Sequence, residues 1–302
     1  MKLICKDVKN TAEAESFVAF CERDFESRFR DAARRALSLG NKFITLSGPT
    51  CSGKTTTASV LLDELEKAGK SAVVISIDDF YLDDLRTKTD SSGDLDFDSV
   101  NTIDIQCLAE VVQNLARGDE VKLPKFDFLT GKRSGYVKIV PRDSDIYIFE
   151  GIQAVYPEVS RLFGDGYTSV FITVADDVMF NGVYFSASEI RLLRRIVRDA
   201  DTRNTSPSQT LAYWDKVRKN EDENIFPNAA NPHIMIDSFL IYELFVMAPI
   251  ALAKLSEVSK DDTGYSLAHS LSIRLSKINS EYFRKSFVPK TSVFREFIGS
   301  DD

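Results

Sequence analysis

The segment Gly48-Pro49-Thr50-Cys51-Ser52-Gly53-Lys54-Thr55 fits the pattern G-x-x-x-x-G-K-[ST] at every fixed position. Its flanks limit the fold more than any other feature of the chain. Residues 42–47 (Lys-Phe-Ile-Thr-Leu-Ser) read as a buried strand, and residues 54–68 as a helix that Gly69 ends. Residues 71–77 (Ser-Ala-Val-Val-Ile-Ser-Ile) read as a second, β-branched strand. Strand, helix and strand in this order form a βαβ unit, which requires a parallel sheet and a right-handed crossover.

The chemistry of the turn follows from its residue types. Glycines let successive backbone N–H groups point inward at a phosphate, and the helix that follows adds its positive N-terminal end. Lys54 supplies a point charge for terminal phosphates, and the Thr55 hydroxyl suits Mg²⁺. Residues Gly48 to Lys54, with Thr55 and Thr56, are therefore the expected nucleotide contacts, and ATP with Mg²⁺ the expected ligands. The fold expected is α/β, a P-loop NTPase-type parallel sheet flanked by helices, with a helical lid and helical extensions at both ends.

Further strands are expected at 146–149, 169–174 and 234–236, a hairpin over 121–140, and helices at 105–117, 188–202 and 209–223. Residues 11–39 carry Phe17, Cys21, Phe25 and Phe29 four apart on one helical face, with Gly40 placed as the stop. That helix and the C-terminal ones fit a core cover and a homo-oligomer interface equally. The division expected is an N-terminal extension over 1–40, a central domain over 41–260 with a lid near 191–225, and a C-terminal extension over 261–302.

The 46 Asp and Glu against 38 Lys and Arg leave a charge of −8, which removes the positive field that non-specific nucleic-acid binding needs. Cys5, Cys21, Cys51 and Cys107 show no CxxC spacing, and with His233 and His269 they make no zinc pattern, so a reducing compartment is expected. The first ten residues hold too short an apolar stretch for a signal peptide. The most apolar run, 239–255, carries Glu243 and Pro249 and reads as a buried helix rather than a membrane span. A cytoplasmic protein is expected.

A phosphate loop does not say where the phosphate goes. Thr87-Lys-Thr-Asp90 imitates a guanine-reading motif and Asp90-Ser-Ser-Gly93 a GTPase switch, but the two overlap, stand in the wrong order and follow no strand. Asp78 and Asp79 end the second strand, on the edge where open α/β sheets bind ligands. Asp78 is the expected general base toward an attacking hydroxyl, and the other carboxylate a turn cap. Glu150, at the end of Ile146-Tyr-Ile-Phe-Glu150, is a candidate for a magnesium water. Arg191, Arg194, Arg195 and Arg198 fall on one helical face, and for Arg191 and Arg195 a solvated basic face is the expectation.

These elements come in the order found in the uridine kinase and phosphoribulokinase family: the phosphate loop, Asp78-Asp-Phe-Tyr81, Phe97-Asp98, Pro124-Lys-Phe126-Asp127-Phe128, Phe149-Glu-Gly-Ile152 and Arg194-Arg-Ile-Val-Arg198-Asp199. The chain resembles that family over about 43–238. Trp214-Asp-Lys-Val, Asn224-Ile-Phe-Pro227 and Arg295-Glu-Phe-Ile-Gly299 resemble later motifs of its bacterial uridine kinase-like subgroup. The resemblance implies ATP-dependent transfer to a nucleoside 5′-hydroxyl, uridine or cytidine first. It implies Asp78 as base, Tyr81, Asp98, Phe126 and Asp127 about the acceptor, and the arginine helix as a lid carrying Arg198 and Arg203.

The chain also departs from the family pattern. Gly131 and Phe126 stand where the pyrimidine kinases carry a base-reading histidine and a tyrosine, and Asn204-Thr205 replaces Gly-Arg. Residues 180–188 are an insertion before the lid helix. Losing hydrogen-bonding partners relaxes selectivity, so another sugar, sugar phosphate or vitamin-like alcohol is the alternative acceptor. An ATP-binding regulatory module with no acceptor is the alternative from another class, and Asp78 argues against it.

Overall fold

The computed structural model describes residues 1–4, 6–83, 99–128 and 130–300. Its elements are β1 (Lys2–Ile4), α1 (Thr11–Ser38), β2 (Phe43–Ser47), α2 (Lys54–Lys67), β3 (Ser71–Ser76), α3 (Ile105–Arg117), β4 (Val121–Asp127), β5 (Lys132–Ile139) and β6 (Asp145–Glu150). They continue with α4 (Pro157–Ser160), β7 (Tyr167–Thr173), β8 (Val178–Phe180), β9 (Val183–Phe185), α5 (Ala187–Thr202), α6 (Pro207–Asn220), β10 (Ile234–Asp237), α7 (Glu243–Leu255), α8 (Tyr265–Leu275) and α9 (Arg295–Ile298).

Five strands form one sheet in the order β10-β7-β2-β6-β3, with every pair parallel. β2 is central, and all five of its residues are buried because both faces of the sheet are covered. Alternate side chains feed opposite cores. Ile44, Leu46, Ile146, Ile148, Val170 and Ile172 pack toward the side of α1, α2, α5 and α7. Phe43, Tyr147 and Phe149 pack with Leu108, Val112 and Leu115 of α3 on the other side. The C-terminal ends of β2, β6 and β3 then hold the phosphate loop, Glu150 and the turn carrying Asp78 along one edge.

The phenylalanine stripe of α1 is spent on this chain's own core: Phe25 and Phe29 are buried, and Phe17 meets Phe245 and Phe283 edge-on. One continuous core runs from Ile4 to Ile298, so both terminal segments share it with the sheet. The insertion expected over 180–188 starts on the last residue of β8 and takes in the turn, β9 and the first two residues of α5; β9 closes a hairpin on β8, to whose other edge β1 adds in parallel. The apolar run becomes α7, buried on nearly every side. Among the described residues no helix is long and apolar enough to cross a membrane.

Candidate active site

Below the sheet edge lies a cleft of about 770 Å³, lined by Thr50 to Thr55, Asp78, Tyr81, Phe128, Glu150, Arg195, Arg198 and Arg203. That volume suits a nucleotide-sized ligand. Lys54 turns back over the loop and donates to the carbonyls of Gly48 and Pro49 at 2.9 and 3.2 Å. Thr55 is exposed at the start of α2, where helix N–H groups have no intrahelical partner. Thr56 turns elsewhere, donating to Glu296 at 3.0 Å.

Two buried arginines brace the loop from behind. Arg194 uses all five of its donors: two bonds to Glu243 (3.1 and 2.6 Å), two to Ser238 (3.0 and 2.9 Å) and one to the Cys51 carbonyl at 3.1 Å. Arg191 donates to the Thr50 carbonyl at 3.2 Å and pairs with Glu221 at 2.7 Å. The solvated basic face expected for Arg191 is therefore corrected: it is 1% exposed. Arg195 is half-buried on the cleft wall, bonded to Asp199 at 3.2 Å. Helical spacing reports a shared face, not what covers it, and here α6, α7 and α9 cover it.

Asp199 is the hub of the cleft arginines. It accepts from Arg195 and from Arg198 (2.8 Å) and lies 3.6 Å from Arg203. Arg198 is buried and Arg203 exposed, and both line the cleft. α5, which carries Arg198 and is capped by Arg203, packs into the core on α6, α7 and α9.

The two aspartates after β3 face different ways. Asp79 pairs with Lys125 at 2.5 Å and accepts the Phe126 amide at 3.2 Å, tying the β4–β5 hairpin to the sheet. Asp78 opens into the cleft. Burial pushes its carboxyl above the usual range, while Lys54 and hydrogen bonds from Gln153 and Tyr81 pull it back and Asp79 adds to the rise. Tyr81 is buried and meets Phe126 and Phe128 edge-on at 5.3 and 6.0 Å. Of the residues expected at the acceptor, Tyr81 lines the cleft; Phe126 packs behind it, Asp127 serves the hairpin turn, and Phe128 lines the cleft instead. Gly131 sits in that turn with φ +68°. Asp98 and the Thr87–Gly93 matches lie outside the described residues.

The C-terminal segment also reaches the cleft. Glu296 of α9 lines it, and Val293 packs so tightly on the loop that a Cβ at Gly53 (φ +93°) would fall 2.5 Å from its Cγ2. Ser292 fixes the segment by donating to Glu22 at 2.6 Å. No periodicity announced this contact, because it joins residues 240 positions apart.

A family model described as the phosphoribulokinase / uridine kinase family matches residues 43–242. The chain belongs to this family. Uridine kinases of Ureaplasma parvum serovar 3 and Staphylococcus aureus strain JH9 are 25% and 28% identical to it over 194 and 195 residues, each match covering 64% of this chain and 86% of the relative. A provisionally named fructose transport system kinase from Silicibacter sp. TM1040 superposes with a TM-score of 0.48 at 18% identity, over 68% of this chain and 98% of its own.

As a member of this kinase family the chain should hold phosphate and a divalent cation, and its residues fit both. The Ser52 hydroxyl is buried in the loop with no hydrogen-bond partner among the described residues, a polar group waiting for an acceptor. Thr55 and Glu150 offer oxygen ligands only, as Mg²⁺ prefers. Among the described residues no three His, Cys, Asp or Glu cluster so as to hold a metal ion.

Glu150 should show itself by pH in the metal-free protein. Burial, then Asp78 and Glu296, push its carboxyl up to about 7 against the pull of Lys54. Between the ordinary glutamate range and about 7 the folded protein holds this proton and the unfolded chain does not. The stability it contributes is complete at low pH and lost as pH rises through 7. Glu150→Gln is expected to flatten that fall and to be more stable than wild type at pH 8 by up to about 3 kcal/mol, read from denaturant titrations with EDTA present.

Proposed function

We propose that the protein transfers the γ-phosphate of ATP to the 5′-hydroxyl of a nucleoside, uridine or cytidine first. The observation that carries this reading is that Asp78 and the phosphate loop open into one cleft, with Tyr81 and Phe128 beside the carboxylate. A hydrolase or a switch needs no base placed for a second substrate; a phosphotransferase does.

In the transfer, the acceptor oxygen bonds to the γ-phosphorus as the bond to the β,γ-bridging oxygen breaks, and ADP leaves. Asp78 takes the hydroxyl proton. Lys54, the loop amides, Arg198 and Arg203 supply positive charge where phosphoryl charge moves, and Asp199 holds the arginines in place. Mg²⁺ bound at Thr55 and Glu150 would neutralise phosphate charge and fix its orientation.

A second reading keeps the chemistry and changes the alcohol. Phe126 lies behind Tyr81 and Gly131 has no side chain, so neither offers a hydrogen bond to a base. The test is ADP release with Mg²⁺·ATP against uridine, cytidine, adenosine, guanosine, ribose, ribulose 5-phosphate, pantothenate and no acceptor. Uridine or cytidine should stimulate turnover at least about tenfold over the acceptor-free rate. Stimulation by another alcohol alone would replace the nucleoside with that alcohol. Hydrolysis indifferent to every acceptor would end the phosphotransferase reading.

A further inference from the structure

We propose that Gln153 is a positioning residue of this site, locking the Asp78 carboxylate and the Tyr81 hydroxyl into one arrangement through the two protons of its side-chain amide. The inference rests on the kinase reading, in which Asp78 is the base.

Gln153 lies one residue beyond the Phe149-Glu-Gly-Ile152 motif, in a single 3₁₀ turn (Ile152–Val155) after β6. Its side chain is fully buried. Burying an amide N–H without a hydrogen bond costs several kcal/mol, so the two Nε2 protons need partners here. They are the two residues about the expected acceptor. Nε2 donates to the Tyr81 hydroxyl at 3.1 Å, and both the Gln153 amide and the Tyr81 hydroxyl hydrogen-bond Asp78.

The proton count closes. The amide nitrogen carries two protons, one for the tyrosine oxygen and one for the carboxylate, and the phenol carries one more for the carboxylate. Three side chains thus form a ring in which every donor points toward Asp78 or toward the group that donates to it. Turning Asp78 breaks two of the three bonds. Tyr81 is itself held by Phe126 and Phe128, so the ring is anchored on its far side. The charged groups facing Asp78 from neighbouring elements are Lys54 of the loop, Asp79 of its own turn and Glu150 of β6.

Gly151 makes the approach possible. A Cβ there would lie 2.9 Å from the Ile77 Cβ and 3.1 Å from the Gln153 Oε1, so any side chain would push the turn off the start of the Asp78 segment. The close packing of β6's exit on β3's exit is what brings the amide to the carboxylate. A base misplaced by about 1 Å can lose on the order of a hundredfold in rate, which gives such a clamp a kinetic consequence.

Gln153→Met keeps the length and most of the volume and removes both donors. With whichever acceptor turns over, kcat is expected to fall about 10- to 100-fold while the ATP dissociation constant, measured by calorimetry, stays within about twofold. Gln153→Met combined with Tyr81→Phe should be no slower than the poorer single variant, since both break one ring. A kcat within about twofold of wild type, or losses that simply add, would show Gln153 to be filler and overturn the proposal. Should the wild-type protein turn over no acceptor, the kinase reading falls by itself, and crystal structures of wild type and Gln153→Met still decide the clamp. One Asp78 rotamer in the wild type and a changed or divided one in the variant supports it; the same rotamer in both overturns it.

Discussion

Asp78→Asn is expected to lower acceptor-dependent turnover by about 10²- to 10⁴-fold, the usual worth of a positioned general base. The substitution keeps the shape of the side chain and leaves an oxygen for the Gln153 and Tyr81 donors, so the ring about residue 78 has no steric reason to collapse. It removes the pair of electrons that accepts the hydroxyl proton. ATP binding should survive, because the loop, Lys54 and the cleft arginines are untouched. Steady-state ADP release beside calorimetric ATP titration checks both halves. Undiminished turnover would remove Asp78 from the chemistry, whereas lost ATP binding would make its role one of donor affinity.

The largest effect on stability is expected at Arg194, buried behind the phosphate loop. Arg194→Met leaves Glu243 fully buried without its ion pair, strips two bonds from Ser238 and frees the Cys51 carbonyl. Breaking a buried pair from one side typically costs about 3–5 kcal/mol, since a charge is left desolvated and unmatched. Burial already pushes Glu243 upward and Arg194 holds it down, so the variant should take up a proton there on folding. Chemical denaturation of Arg194→Met and of the double variant Arg194→Met/Glu243→Leu separates the causes. The double variant is expected to recover much of the loss, because two apolar side chains carry no charge to desolvate. Its phosphate loop would still lack a brace at Cys51, so ATP affinity should stay low in both. A single variant as stable as wild type would show that the pair contributes nothing net.

Much of this site is legible in the sequence. The phosphate loop, the strand ends that bear Asp78 and Glu150, and the Arg198–Arg203 spacing each pair a local pattern with a local structure. What escaped lies where the pattern is too short or the partner too far. β1, β8 and β9 have three residues each, too few for alternation to register. The burial of Arg191 depends on Glu221, thirty residues on, in a π-helical turn (Glu221–Ile225) with no sequence signature. Asp79 and Asp78 are indistinguishable as letters, and the hairpin's Lys125 separates them only in space. Gln153 follows a recognisable motif by one position and carries no periodicity of its own. Phe126, within the expected acceptor motif, follows a register shift after Lys125 and packs edge-on against Tyr81, a placement its letter alone does not show.

The contact of Glu296 and Val293 with the loop has a consequence for the order in which the protein can become functional. A ribosome delivers residues 48–55 long before residues 292–298. Until residues 292–298 emerge, Thr56 lacks its Glu296 partner, Gly53 its Val293 cover and Glu22 one of the hydroxyls that bonds it. Domains generally fold from the N-terminus during synthesis, but here the sheet can form while the nucleotide cleft stays unfinished. Competence to grip a nucleotide is therefore coupled to the presence of residues 292–298: a polypeptide ending before them would carry an intact phosphate-loop sequence and a cleft missing one wall.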